Sequence, residues 1–311
     1  MDVTLRIGDE GTVAVLDANG TPVSAALRES VLRNHREAVI ALLERKCAAL
    51  EADDAQVISP HWQTPAPLAP DALFLMEPFL ESRPVAPELE TVGVIGGFLG
   101  RREQAEGRYQ EALTAYRVAM GSWRAAEANH HAAQQVREQA MAGNSDAMAD
   151  CFERRLAQIA WPRETQVAFD LVSDILRVDV DLPEIEDMPQ DGVKLRKTEY
   201  RLVETPKNPT LLRKEYMTHI HAVIFRIVGE AFGSLPTLRE TMISGYSQRQ
   251  SRATGNIEDE YLLSVRVGRA AWERIDFGQL EEIDPASALA RFELRRNMTA
   301  TGIFKPIVPL V

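Results

Sequence analysis

Residues 221–232, HAVIFRIVGEAF, would present apolar side chains on nearly every side of a helix. A helix with one apolar stripe can lie on a surface, but one that is apolar all round has to be enclosed by other elements. Asn208-Pro209-Thr210 supplies an N-cap and a first-turn proline, and Gly233-Ser234 with Pro236 marks an end. The pattern therefore predicts a buried helix over 211–232. The flanking sequence shows what encloses it. Val167, Phe169 and Leu171 alternate with other residues, Ser173-Asp174 turns, and Leu176, Val178, Val180 and Leu182 alternate again, as in a hairpin. Residues 195–203 read as a third strand, and 240–247 and 260–267 as two more. Short helices near 270–274 and 286–296 precede a segment with Pro306 and Pro309. The expectation is an α+β C-terminal domain over 163–311, about five strands around a buried helix.

The 311 residues leave room for a second unit of ordinary size. Val3, Leu5 and Ile7 share one strand face, Asp9-Glu10-Gly11 turns, and Val13 and Val15 resume the alternation, a small β-hairpin. Ser24 caps a helix running to about Leu50, which gives a hairpin-plus-helix unit at 1–57. Pro60, Pro65, Pro67, Pro70, Pro78, Pro84 and Pro87 leave no long helix or central strand in a connector at 58–100. Trp62, Phe74, Leu75, Met76 and Phe79 could drape that connector over a surface. Residues 101–141 are rich in Ala, Glu, Gln and Arg and predict one long helix. Gly143-Asn144-Ser145-Asp146 breaks it and caps another through Met148, Cys151, Phe152, Leu156 and Ile159, stopped by Trp161-Pro162. The helical region is drawn at 101–162, so the N-terminal half is helical.

Hydrophobic residues make up 45% and charged residues 26%, with a net charge of −11. These values exclude collagen-like, low-complexity and disulfide-scaffold classes, and they argue against a globally cationic surface for nucleic acid or anionic lipid. The negative excess lies in the first 190 residues, whereas 191–311 are slightly basic, so the two halves can attract each other. Cys47 and Cys151 lie in helical patterns without metal-ligand spacing and read as small buried hydrophobes in a reducing compartment. Charges in MDVTLRIGDEG interrupt any apolar leader core, and no apolar run approaches a membrane span. The expectation is a cytoplasmic protein with no membrane partner.

Nucleotide-loop, nucleophile-elbow, zincin and EF-hand motifs are absent. Gly93, Gly96, Gly97 and Gly100 do not fall in dinucleotide-binding order. EGRYQEALTAYRVAM resembles part of a tetratricopeptide repeat through Gly107, Tyr109, Ala112, Leu113, Tyr116 and Ala119. It supplies one unit where a stacked array needs three. His130-His131 and His219/His221 diverge on a helix and read as packed or surface histidines.

The acidic run 170–191 carries the chemistry. Asp179 and Asp181 share one strand face while Val178, Val180 and Leu182 take the other. Two such carboxylates at a strand end can hold a hard divalent cation. The next stretch is basic, with Lys194, Arg196, Lys197 and Arg201 around Glu199. Helix, three strands, helix, strand, with Asp on the second strand and Glu-x-Arg on the third, resembles the core of the restriction-endonuclease-like nucleases over about 146–247. That resemblance implies Asp179, Asp181 and Glu199 as Mg²⁺ ligands. Arg201 stands where the family has a catalytic lysine. Lys194, Arg196, Lys197 and Arg249 would face nucleic acid. Arginine is a departure, because it cannot shuttle a proton.

IAWPRET, VDVDLPEIEDMP, SGYSQRQSRATGNIEDEYLLSVRV and RRNMTATGIFKPI resemble a family of uncharacterised bacterial proteins with a small N-terminal domain of unknown function. That resemblance carries no established activity. The functional expectation is an interaction or regulatory protein without a recognisable active site or cofactor. A Mg²⁺-dependent nuclease is the first alternative. A helical scaffold is the second, binding a protein partner or a second copy of itself through Tyr109, Tyr116, Met120 and Trp123.

Overall fold

The structure is a computed structural model that describes residues 3–8, 11–69, 78–88, 99–172, 174–250 and 254–310. Phe74, Leu75, Met76, Gly93, Gly96 and Gly97 lie outside the described residues. The chain divides into two compact units, 1–68 with 152–311, and 69–151. No helix among the described residues is long and apolar enough to cross a membrane.

The first unit opens with strands β1 (Thr4–Ile7) and β2 (Val13–Leu16), paired antiparallel. Helices α1 (Ala25–Asn34) and α2 (Arg36–Ile58) follow. Ser24 caps α1 as expected, but His35 breaks the continuous helix with non-helical backbone angles. In the second unit lies α3 (Leu99–Met141), 43 residues and so about 65 Å long. Within that unit the proline arm does drape: the Phe79 ring stands 5.6 Å from Trp123, and Trp123 Nε1 donates to the Glu81 carbonyl at 2.9 Å. Helix α4 (Ser145–Ala157) leads back into the first unit, where Phe152 meets Phe169 edge-on at 5.0 Å.

Strands β3 (Gln166–Val172) and β4 (Ile175–Asp181) form the expected hairpin. The expected third strand over 195–203 is instead two strands, β5 (Asp191–Arg196) and β6 (Arg201–Pro206), paired in a sheet of their own. The polar residues 197–200 do not continue the alternation, and Tyr200 takes a left-handed φ of 51° that turns the chain back. Leu202 joins Val13, Val15, Leu32, Val39 and Leu43 in one apolar cluster, and its N–H donates to the Gly11 carbonyl. The N-terminal hairpin, α2 and the β5–β6 hairpin therefore share a core.

Helix α5 (Pro209–Ser234) is buried as its composition demands, with Val223, Ile224 and Ile227 fully enclosed. It ends at Ser234, within the Gly233-Ser234 stop that the sequence marks. Strands β7 (Glu240–Gln250) and β8 (Ile257–Gly268), short helices α6 (Arg269–Trp272) and α7 (Pro285–Leu289), and strands β9 (Glu293–Met298) and β10 (Phe304–Lys305) complete the chain. The helix expected over 286–296 stops early. Phe292, Leu294 and Arg296 alternate inward from there, so the strand period prevails.

The sheet has six strands in the order β10-β9-β8-β7-β4-β3, one more than expected, and only β4 and β7 are parallel. Helix α5 provides the crossover between them and packs on the face carrying Leu176, Val178, Val180, Ile243, Leu263 and Val265. Ile224 comes close enough to Gly245 that a Cβ there would sit 3.3 Å from its Cδ1. Arg269 closes the far end of the helix. Its guanidinium donates to the carbonyls of Leu238, Leu235, Phe232 and Leu68 and lies 4.9 Å above the Phe232 ring. It thus satisfies carbonyls that the last helical turn leaves open.

Candidate functional site

Asp179 and Asp181 stand on the outer sheet face, away from α5, opposite Ser244 and Tyr246 of β7. Tyr261 of β8 pairs with Tyr246 across the next ladder, their rings 5.7 Å apart and tilted edge to face. Asp179 lies near the Tyr261 phenol. Partial burial raises the Asp181 carboxyl above the usual range, and Asp259 and Glu164 push it further. The same burial, with these carboxylates near, raises both phenols.

Glu199 is not part of this group. It lies in the turn between β5 and β6, on a different sheet, exposed and paired with Arg201 at 2.6 Å. Lys197 pairs with Glu44 at 2.7 Å, and Lys194 and Arg196 are exposed on β5. The four cations suggested for a nucleic-acid groove are thus divided, with three at the β5–β6 hairpin and Arg249 on β7. Among the described residues, no three His, Cys, Asp or Glu side chains are grouped so as to hold a metal ion. The third strand that would have carried Glu199 beside the two aspartates does not form.

The histidines are packed, as one of the two readings had it. His219 and His221 are fully buried on α5. His219 Nδ1 donates to the Val57 carbonyl at 2.6 Å. His221 Nδ1 donates to the Met217 carbonyl, and its Nε2 accepts from Arg296 at 2.8 Å. Cys47 and Cys151 are half-buried rather than enclosed. Burial and the neighbouring Glu51 raise the Cys47 thiol.

Arg249 belongs to a different arrangement. Strands β4 and β7 end side by side because they are parallel, and the first turns of α5 lie at the same end. Between them is a cleft of about 540 Å³ lined by Glu184, Arg213, Tyr216, Arg249 and Phe304, among others. Each lining group has a local reason for its position. Pro183 turns the chain out of β4, and Tyr216 donates its hydroxyl to the Pro183 carbonyl at 3.1 Å. Glu184 begins a short 3-10 turn, Ile185–Asp187, where the Asp187 carboxylate accepts from the Glu184 N–H. Gly302, at φ +81°, passes so near the Arg213 carbonyl that a Cβ would stand 3.0 Å from it. That approach brings Ile303 and Phe304 to the rim.

Arg249 Nε donates to Ser247 Oγ at 3.2 Å. The guanidinium lies 3.7 Å from carboxylate oxygens of both Glu184 and Glu260. Those separations are ion-pair distances beyond a hydrogen bond. Burial raises the Glu184 carboxyl, against the opposing pull of Arg249. Burial likewise raises the Tyr216 phenol well above its ordinary value, so it remains a neutral donor.

Sequence reading singled out Arg249 but missed Glu184, Arg213 and Tyr216. A signal was present. A strand, a long helix and a second strand in succession place two parallel strand ends at the start of the helix, where open α/β sheets gather their ligands. A second cavity of about 650 Å³ lies between the N-terminal hairpin, α2 and the β5–β6 hairpin, with Lys46, Arg201 and Glu204 on its wall. Its surroundings are the shared apolar cluster, and Arg201 there is already engaged by Glu199. No known family model, curated protein or solved structure matches this chain.

Proposed function

We infer that this protein is a regulatory binding protein whose ligand is a small carboxylate-bearing molecule, held in the cleft at the carboxyl ends of β4 and β7. The observation that carries the reading is Arg249. Its guanidinium is oriented by Ser247 and balanced by Glu184 and Glu260 without direct hydrogen bonds to either, at the wall of a cleft sized for a small ligand. A ligand carboxylate can take the planar N–H pair that the two glutamates leave at ion-pair range. Tyr216 and Phe304 supply an apolar floor. Arg213 and Arg249 face Glu184 and Glu186 across the cleft, with Glu260 behind Arg249, an arrangement that suits a small polar molecule and opposes a polyanion.

The test is thermal unfolding and calorimetric titration against a panel of small mono- and dicarboxylates. At least one should raise the unfolding temperature, and a ligand at a hundred times its Kd should add about 2.7 kcal/mol of stability. Arg249→Gln should abolish that gain while leaving the unliganded unfolding temperature nearly unchanged. A panel in which none binds, or binding that survives Arg249→Gln, overturns the reading. Mg²⁺-dependent DNA cleavage lost in Asp181→Ala would replace it with the nuclease alternative.

A further inference from the structure

We propose that two copies of this chain pair through β3, edge to edge and antiparallel, about a two-fold axis at Phe169. This strand ends the six-stranded sheet, with β4 on one side. Among the described residues, no backbone group is hydrogen-bonded to its other side. Edge strands in monomeric proteins are blunted by lysine, proline, bulges or short length. The strand QVAFDLV has none of these across seven residues, and its single charge is Asp170. Its side chains are only partly covered. Val167, Phe169 and Leu171 on the inner face are half-buried, and Val172 on the outer face is 55% exposed.

The sequence of the strand selects both partner and register. A two-fold axis pairs residues of equal parity only when it passes through a residue, and equal parity keeps the inner faces together. With the axis at Phe169, all seven residues pair. Gln166 meets Val172 of the second copy, Val167 meets Leu171, Ala168 meets Asp170, and Phe169 meets itself. The inner faces then join as one apolar layer, with Phe152 already against Phe169 on each side. Moving the axis to Asp170 sets two aspartates opposite each other. Moving it to Ala168 leaves Leu171 and Val172 facing the residues before the strand. The partner that fits is therefore this strand itself.

The test is sedimentation equilibrium of the full chain, with hydrogen exchange of the β3 amides at low and high protein concentration. The wild-type chain should dimerise, with β3 amides protected only at the higher concentration. Ala168 is exposed and faces Asp170 of the other copy twice in the dimer. Ala168→Asp should weaken association about fivefold to tenfold, and Ala168→Lys should preserve or tighten it. Both substitutions lie beside Asp179 of β4 in the monomer, so circular dichroism melts of each establish that the fold is retained. A wild-type chain that stays monomeric overturns the proposal. So does a dimer indifferent to the sign of the charge at position 168, or one whose β3 amides exchange at the same rate at every concentration.

Discussion

Gly229 of α5 lies against Thr64 so closely that a Cβ on the glycine would fall far inside the van der Waals radius of Thr64 Cγ2. One turn later, a Cβ on Gly233 would meet Pro65 Cγ at 2.9 Å. The two glycines open a groove along the helix for residues 64–66, and the Leu68 N–H then reaches the Phe232 carbonyl at 3.0 Å. Helix propensity alone makes Gly229→Ala favourable by up to about 1 kcal/mol. Overpacking opposes it by about 1–3 kcal/mol, because Thr64 is buried and has no room to withdraw. The expected outcome is a net loss in urea denaturation. Thr64→Ser, which deletes Cγ2, should restore much of that loss in the double variant.

This groove shows where sequence reading ends. The all-round apolar run from Ala222 to Phe232 required a buried helix, and one formed. Gly233 marks the end of the helix, as glycine commonly does, but its second role, close packing, depends on a segment more than 160 residues earlier. The strand pairs around Val178 and Val265 were legible because their alternation is local. The β5–β6 turn was not, since Leu195, Leu202 and Val203 suit one strand or two equally. Of the cleft, Arg249 and the strand–helix–strand order were legible. Glu184 and Tyr216 gain their meaning from the parallel pairing of β4 with β7, a long-range fact.

Glu230 lies fully buried on α5 between two guanidinium groups, Arg226 Nε on one oxygen and Arg155 Nε on the other, each at 2.5 Å. Arg226 also donates to the Pro60 carbonyl at 3.4 Å. Removing one member of a buried ion group leaves the others unpaired, so Glu230→Ala should cost about 3–5 kcal/mol in chemical denaturation. The loss should be smaller when Arg226→Met accompanies Glu230→Leu, since the buried charge is then removed with its partner. A loss in Glu230→Leu alone no larger than in the double variant would show that the cavity left by alanine, and not the stranded guanidinium, sets the cost.

Arg269 serves the end of α5 through the geometry of its head group as much as through its charge. Four carbonyls, from Leu238, Leu235, Phe232 and Leu68, converge on its planar fork. A lysine keeps the charge but concentrates its donors at one point and cannot span them. Arg269→Lys should therefore destabilise by about 2–3 kcal/mol, the cost of leaving buried carbonyls without donors. Hydrogen exchange should locate the damage at the last turn of α5 and at Leu68, leaving the first turns protected.

The buried histidines give the fold a predictable acid sensitivity. Burial holds His219 and His221 at pKa values of about 4, against an ordinary value of 6.5. Arg163 near His219 and Arg296 beside His221 add to the lowering, while Asp284 opposes it at His221. The unfolded chain therefore takes up protons that the folded chain refuses. The stabilisation is complete above pH 6.5 and is lost progressively as pH falls toward 4. Between pH 7 and pH 5 the loss should be about 2 kcal/mol for each histidine. Asp181 and Glu184, whose carboxyls are raised, act in the opposite sense and offset part of it in acid. Urea denaturation across this range checks the slope. An asparagine at position 219 can keep the donor to the Val57 carbonyl but cannot take a proton. His61, buried and lowered in the same way, adds to the slope. His219→Asn should therefore remove a substantial part of it but not all, whereas an unchanged slope would mean that His219 protonates in the folded chain as readily as in the unfolded one.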